Sequence, residues 1–234
     1  MNRREFIVAF GALPALGVSR QLRFRTNPFT LGVASGDPTT SGVVLWTRLH
    51  DPVEPRIRVD WELAEDDGFR RIARKGSSLA LKELGHSVHA EVEGLRPGRT
   101  YWYRFMSGGE GSPVGRTRTA PSGSPKQLRF AFASCQNYEH GYFTAHRHLA
   151  NEEDLDFVVF LGDYIYERRF GQNAVRQVDA PESVTLEQYR SRYSIYRSDR
   201  DLQAAHAAFP WIVTTDDHEV ANNYANAIVG TNNV

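Results

Sequence analysis

The chain has 234 residues, 28 basic and 28 acidic side chains, a formal net charge of zero and 41% hydrophobic residues. These values fit one or two soluble globular domains and carry no nucleic-acid-binding signature. A single cysteine, Cys135, excludes an intramolecular disulfide.

Residues 1–26 read as a targeting segment. Arg3 and Arg4 precede the apolar stretch Ile7 to Val18, which is too short for a stable membrane span. The pair resembles a twin-arginine signal, which implies the twin-arginine export machinery as a partner and a periplasmic or extracellular location. Cleavage is expected near Ala15-Leu16-Gly17.

From residue 27 to 120 the pattern is one of short strands. Phe29 to Ala34, Gly42 to Leu49, Ile57 to Ala64, Ser87 to Val92 and Thr100 to Met106 carry β-branched and aromatic residues between turn-forming clusters. This spacing predicts an antiparallel sandwich. The stretch Leu95 to Tyr103 resembles the corner of fibronectin type III and immunoglobulin-like modules, where a Tyr hydroxyl holds upstream backbone. Trp46 is expected to anchor the core. Residues 121–126, rich in Pro, Ser and Gly, form a linker to a second region, 127–234.

The second region alternates strands and helices. Arg129 to Ser134 is a strand ending at Cys135, Phe157 to Leu161 a strand ending at Gly162-Asp163, and Trp211 to Thr215 a strand ending at Asp216-Asp217-His218-Glu219. The run at 157–161 has no polar alternation, which predicts a parallel strand covered by helices on both faces. A helix is expected from Gly141 to Ala150, with His146 and His148 pointing to different sides. Arg168 to Pro181 has no apolar periodicity and reads as a loop. Thr185-Leu186-Glu187-Gln188 reads as a capping box opening a helix to about Arg197; Ser198-Asp199-Arg200-Asp201 reads as a second, opening a helix that ends before Pro210. Most of Arg168, Arg169, Arg190, Arg192, Arg197 and Arg200 are expected on a solvated face.

Three strand ends thus bear ligand-type side chains, and ligands collect at the carboxyl ends of such strands. Cys135, Asp163, Tyr166 and Asp217 combine thiolate, carboxylate and phenolate donors, which favours a ferric ion with a hard divalent neighbour such as calcium. Arg168, just beyond, either clamps phosphate or is a solvated charge. Asn222 and Asn223 either support the site or form a turn, and Glu219 is expected to orient neighbouring groups.

Cys135, then Gly162-Asp163-Tyr164-Ile165-Tyr166-Glu167, then Asp216-Asp217-His218-Glu219 with Asn222-Asn223, resembles the alkaline phosphatase D (PhoD) family of the calcineurin-like metallophosphoesterases. Against the superfamily motifs, Cys135 stands at the first Asp, Asn137 at the first His and Tyr166 at the second Asp of G-D-x-x-D. The resemblance implies an α+β two-domain chain: a β-sandwich, then part of an α/β metallophosphoesterase domain. It implies Fe3+ and Ca2+ as cofactors and a phosphate mono- or diester as substrate, hydrolysed by a metal-activated hydroxide. Asp163 then bridges the metals, Cys135 and Tyr166 complete the iron side, Asp217 binds the second metal, and His218 assists at the leaving oxygen.

Superfamily members take further ligands from later His motifs, and no His follows His218 here. The chain is therefore expected to be a fragment holding the first half of the phosphatase domain. A different class of reading is a non-catalytic secreted β-module with a degenerate tail, which has no reason to keep five donors at three strand ends.

Overall fold

The computed structural model describes residues 22–225 apart from Val53 and Gln172, so the paired arginines and residues 226–234 lie outside the described residues. Strands β1 (Val33–Gly36), β2 (Val43–Arg48), β3 (Arg56–Ala64), β4 (Ile72–Leu81) and β5 (Ser87–Val92) come first. β6 (Thr100–Ser107), β7 (Glu110–Gly111) and β8 (Gly115–Arg118) follow. Beyond residue 126 come β9 (Phe130–Ala133), α1 (Thr144–Ala150), β10 (Phe157–Phe160), α2 (Leu186–Arg197), α3 (Arg200–Ala208) and β11 (Pro210–Val213). The fold is α+β, with mixed sheets and few helices.

Two sheets face each other across the first core. One contains β4, β3, β6 and β7, with β8 also on β6; the other is six-stranded, in the order β5-β2-β1-β11-β10-β9. Alternation places Val33, Leu45 and Val88 from the second sheet against Ile57, Val59, Leu63 and Tyr103 from the first. The Tyr101 hydroxyl accepts the Arg96 N–H at 2.9 Å, holding the corner that the sequence marks. Leu22 and Phe24 also pack on this core, so packed chain begins inside the stretch read as the targeting segment.

The six-stranded sheet draws three strands from each side of the linker. β1 pairs in parallel with β11, and β9, β10 and β11 are parallel to one another. Arg197 from α2 fastens this seam, donating from Nη2 to the Leu31 and Val33 carbonyls at 3.0 and 3.1 Å.

Several expectations need correction. β10 is covered on one face alone: Val158 and Phe160 are buried with Trp211, whereas Phe130, Phe132 and Ile212 are exposed on the other face, Phe132 to 70%. Trp46 is half-buried and stays out of the core, because Leu45 takes the inward position of its strand. β4, β7 and β8 carry no expected strand; β4 is largely solvent-facing and lacks the apolar alternation that marks the others. Thr185 forms the full capping box. The next helix is capped by Asp199 rather than Ser198, its carboxylate accepting the Asp201 and Leu202 N–H groups. Arg192 and Arg197 are not solvated: they are 1% and 5% exposed. Among the described residues no helix is long and apolar enough to cross a membrane.

His146 is buried and bonded to Gln136 Oε1 at 2.8 Å, while His148 is exposed. His206 stacks on Trp211 at 3.8 Å and shares a 2.8 Å hydrogen bond with the Tyr164 hydroxyl. Burial, then Arg197, holds His206 well below the ordinary value of 6.5, and burial lowers His146 too. Both are neutral when folded and protonate more readily when unfolded. Their contribution is full above about pH 6.5 and declines as pH falls below it. Urea midpoints measured from pH 8 to 5 are expected to fall on the acid side, and His206→Phe should flatten that fall; an unchanged slope would refute the assignment.

Candidate metal centre

Three loops at the carboxyl ends of β9, β10 and β11 are locked together by backbone contacts. The Cys135 N–H donates to the Gly162 carbonyl and the Gln136 N–H to the Asp163 carbonyl, both at 3.2 Å. Gly162 lies at φ +103, and a Cβ there would stand 2.5 Å from Asp216 Cβ, so only glycine fits against the third loop. Glu219 ties the second and third loops together, its carboxylate accepting the Asp163 and Asp216 N–H groups at 3.2 and 2.7 Å and that of Tyr164 as well.

These contacts hold the donor side chains. Donor atoms of Asp163, Asp217 and His218 lie within 4.8 Å of one another. The Tyr166 hydroxyl reaches Asp163 Oδ2 at 3.2 Å; the exposed thiol of Cys135 lies outside the close cluster but near enough to help lower the Asp163 pKa. Cys135, Asp163 and Asn223 have positive φ, from +54 to +59, in the left-handed region that five other described non-glycine residues also adopt.

Burial pushes the Asp163 carboxyl above its ordinary value, with Asp217 adding to this against the pull of His218, Tyr166 and Cys135. Burial also raises Asp217, but the Asn223 N–H and His218 outweigh it and hold that carboxyl low. The Tyr166 phenol is driven up by burial and by the carboxylate beside it. Asp163 Oδ1 is buried with no hydrogen-bond partner among the described residues. A buried, unpartnered carboxylate oxygen facing a second carboxylate calls for a cation, and the thiol, phenol and carboxylate donors fit one.

His218 is oriented by a residue to which the sequence assigns no role. Glu167 Oε2 lies 2.7 Å from His218 Nδ1, and its other oxygen accepts the Asn222 N–H at 3.1 Å. Against a carboxylate acceptor Nδ1 carries a proton, which leaves Nε2 as the nitrogen free to serve the site. The signal was available: Glu167 closes the same motif that supplies Asp163 and Tyr166.

The other candidates sit around this group. Asn223 donates its N–H to Asp217, and both asparagines act through backbone. Asn137 caps the short turn Tyr138–His140 through Oδ1, and its buried Nδ2 has no partner among the described residues. The Arg168 guanidinium lies 5.5 Å above the Phe170 ring, whose own centroid is 6.4 Å from that of His218.

Residues 130–233 match the PhoD-like phosphatase family, and residues 15–121 match the PhoD-like phosphatase N-terminal domain. Alkaline phosphatase D of Bacillus subtilis (strain 168) is 49% identical over 256 residues, which cover 97% of this chain and 43% of the relative. A solved structure of PhoD superposes with a TM-score of 0.84 at 50% identity, over 91% of this chain and 43% of that one. The chain thus spans less than half the length of either relative. With both matched segments, the fold and the strand-end donors in agreement, the chain belongs to the PhoD-like phosphatase family.

Proposed function

We propose that this chain carries one side of the active site of an exported, metal-dependent phosphoric ester hydrolase of the alkaline phosphatase D type. The observation that carries the reading is the junction of Asp163, Asp217 and His218 with Cys135 and Tyr166 at three strand ends. In this reading residues 27–120 are a fibronectin III-like module, 127–234 are the first half of the phosphatase domain, and 1–26 direct twin-arginine export to the periplasm or beyond.

Cys135, Asp163 and Tyr166 would hold Fe3+, and Asp163 and Asp217 would hold Ca2+. Bound there, the ions supply Lewis acidity that activates water and offsets charge developing on phosphoryl oxygens. The chain's own part is positional. Glu167 accepts a hydrogen bond from His218 Nδ1–H and offsets the charge of the imidazolium; with Nε2 also protonated, that nitrogen would give its proton to the ester oxygen as it departs. Glu219 and Gly162 keep the three loops in register while charge develops. No side chain forms a covalent phospho-intermediate. A non-catalytic module gains no support from a buried, unpartnered Asp163 oxygen.

Elemental analysis of the purified chain is expected to find iron and calcium, lost together in Asp163→Asn. Hydrolysis of p-nitrophenyl phosphate and its bis ester should disappear with them, and metal content or turnover unchanged in Asp163→Asn would overturn the reading. Glu167→Gln should leave the fold intact but lower kcat about 10- to 100-fold and reshape its pH profile, as loss of a ligand-orienting carboxylate does. Gly162→Ala combines a clash with a disfavoured φ; a loss of about 2 kcal/mol or more is expected in urea unfolding.

A further inference from the structure

A cavity of about 490 Å3 opens behind the metal-centre loops, between α2 and the outer face of β1, β2 and β5. Its volume is that of a small-molecule site. Ala34, Trp46 and His89 form one cross-strand row on its floor. Arg190, Tyr193 and Arg197 from α2 line the opposite wall, with Arg48 at one end.

Three arginines line the cavity, and none of them makes an ion pair among the described residues. Among the described residues the hydrogen bonds of Arg48, Arg190 and Arg197 all end on carbonyl or hydroxyl oxygens: Gly85, Arg190 and Ser194 for the first, Glu83 for the second, Leu31 and Val33 for the third. Arg48 and Arg190 share the space above Gly85, where a Cβ would stand 3.5 Å from Arg48 Nη2 and 3.1 Å from Arg190 Cδ. Arg197 stacks 4.7 Å above Trp46, and its Nε and Nη1 are buried without a partner among the described residues. His206, also 5% exposed and in the cavity wall, has an unpartnered Nδ1. Glu219 brings one carboxylate to the wall, but its oxygens already accept three backbone N–H groups. A buried guanidinium with unpartnered N–H groups, beside two half-exposed ones that make no ion pair among the described residues, calls for an anion.

We propose that this cavity binds an organic oxyanion, its phosphate or carboxylate head on Arg48, Arg190 and Arg197 and its flat apolar body against Trp46 and Tyr193. Burial and the nearby Arg190 depress the Arg48 pKa, as expected of two cations left facing each other. The site is separate from the donors of the metal centre and does not rest on the phosphatase reading.

The test uses phenylphosphonate, whose carbon–phosphorus bond resists ester hydrolysis, on the chelator-treated 234-residue chain. A saturable change in tryptophan emission is expected, and Trp46→Phe should abolish that change while calorimetry still detects binding. Arg48→Gln and Arg190→Gln should each weaken binding about tenfold or more, the scale of a charged hydrogen bond. Asp163→Asn should bind as the parent does, which separates this cavity from the metal centre. Absence of saturable binding, equal binding by both arginine variants, or loss of binding in Asp163→Asn would overturn the proposal. If an arginine variant does not fold, the Trp46→Phe comparison decides alone.

Discussion

The site depends on one carboxylate whose hydrogen bonds among the described residues all come from backbone. Glu219 gathers the N–H groups of Asp163, Tyr164 and Asp216 from two strand-end loops. A charged acceptor sharing three donors is worth more than the same number of neutral bonds, since each is charge-assisted. That tie lets Asp163 sit at φ +54 with its side chain turned toward Asp217, an arrangement that like-charge repulsion and strained backbone both oppose. Gly162 is the steric half of the same device: without a Cβ, the second loop can touch Asp216. The donors are thus positioned by contacts that carry no chemistry of their own.

A second constraint joins the two halves of the chain. β1 belongs by sequence to the first half, yet its parallel partner is β11, and Arg197 from α2 holds the carbonyls of Leu31 and Val33 just before and within it. Gln203 adds a bond to the Thr30 carbonyl at 2.9 Å. The seam is therefore a continuous sheet clasped by helix side chains, unlike the loose contact of two modules on a tether. Because β11 delivers Asp217 and His218, the first half of the chain helps to set the height of the third motif.

What the sequence makes legible follows from locality. Cys135, Asp163, Tyr166, Asp217 and His218 are readable because each follows an apolar run, and a strand end is a local signal. Thr185 is readable for the same reason, since a capping box is closed within four residues. The β1–β11 pairing spans more than 170 residues of chain and leaves no local mark. Trp46 misleads because aromatic bulk suggests burial, whereas strand parity gives the inner place to Leu45. The apolar run at 157–161 misleads in the opposite way. Its continuity does predict two apolar faces, but α1 and α3 cover one, leaving Phe130, Phe132 and Ile212 in solvent on the other. Apolar pattern records what a strand can bury; the neighbours that cover it lie elsewhere in the chain.

Charge shows the same gap between composition and arrangement. Equal numbers of acidic and basic side chains give no net charge and predict no affinity for either kind of ion. Folding sorts them. Asp163, Asp217, Glu167 and Glu219 converge on the strand ends, while Arg48, Arg190 and Arg197 converge behind them, with Glu219 at the boundary of both. Across such short distances inside partly buried ground, solvent and salt screen little, since the Debye length under cellular salt is about 8 Å and applies to exposed charges. Each cluster therefore keeps its own field. One side demands a cation and the other an anion, and neither demand is visible in a chain whose charges sum to zero.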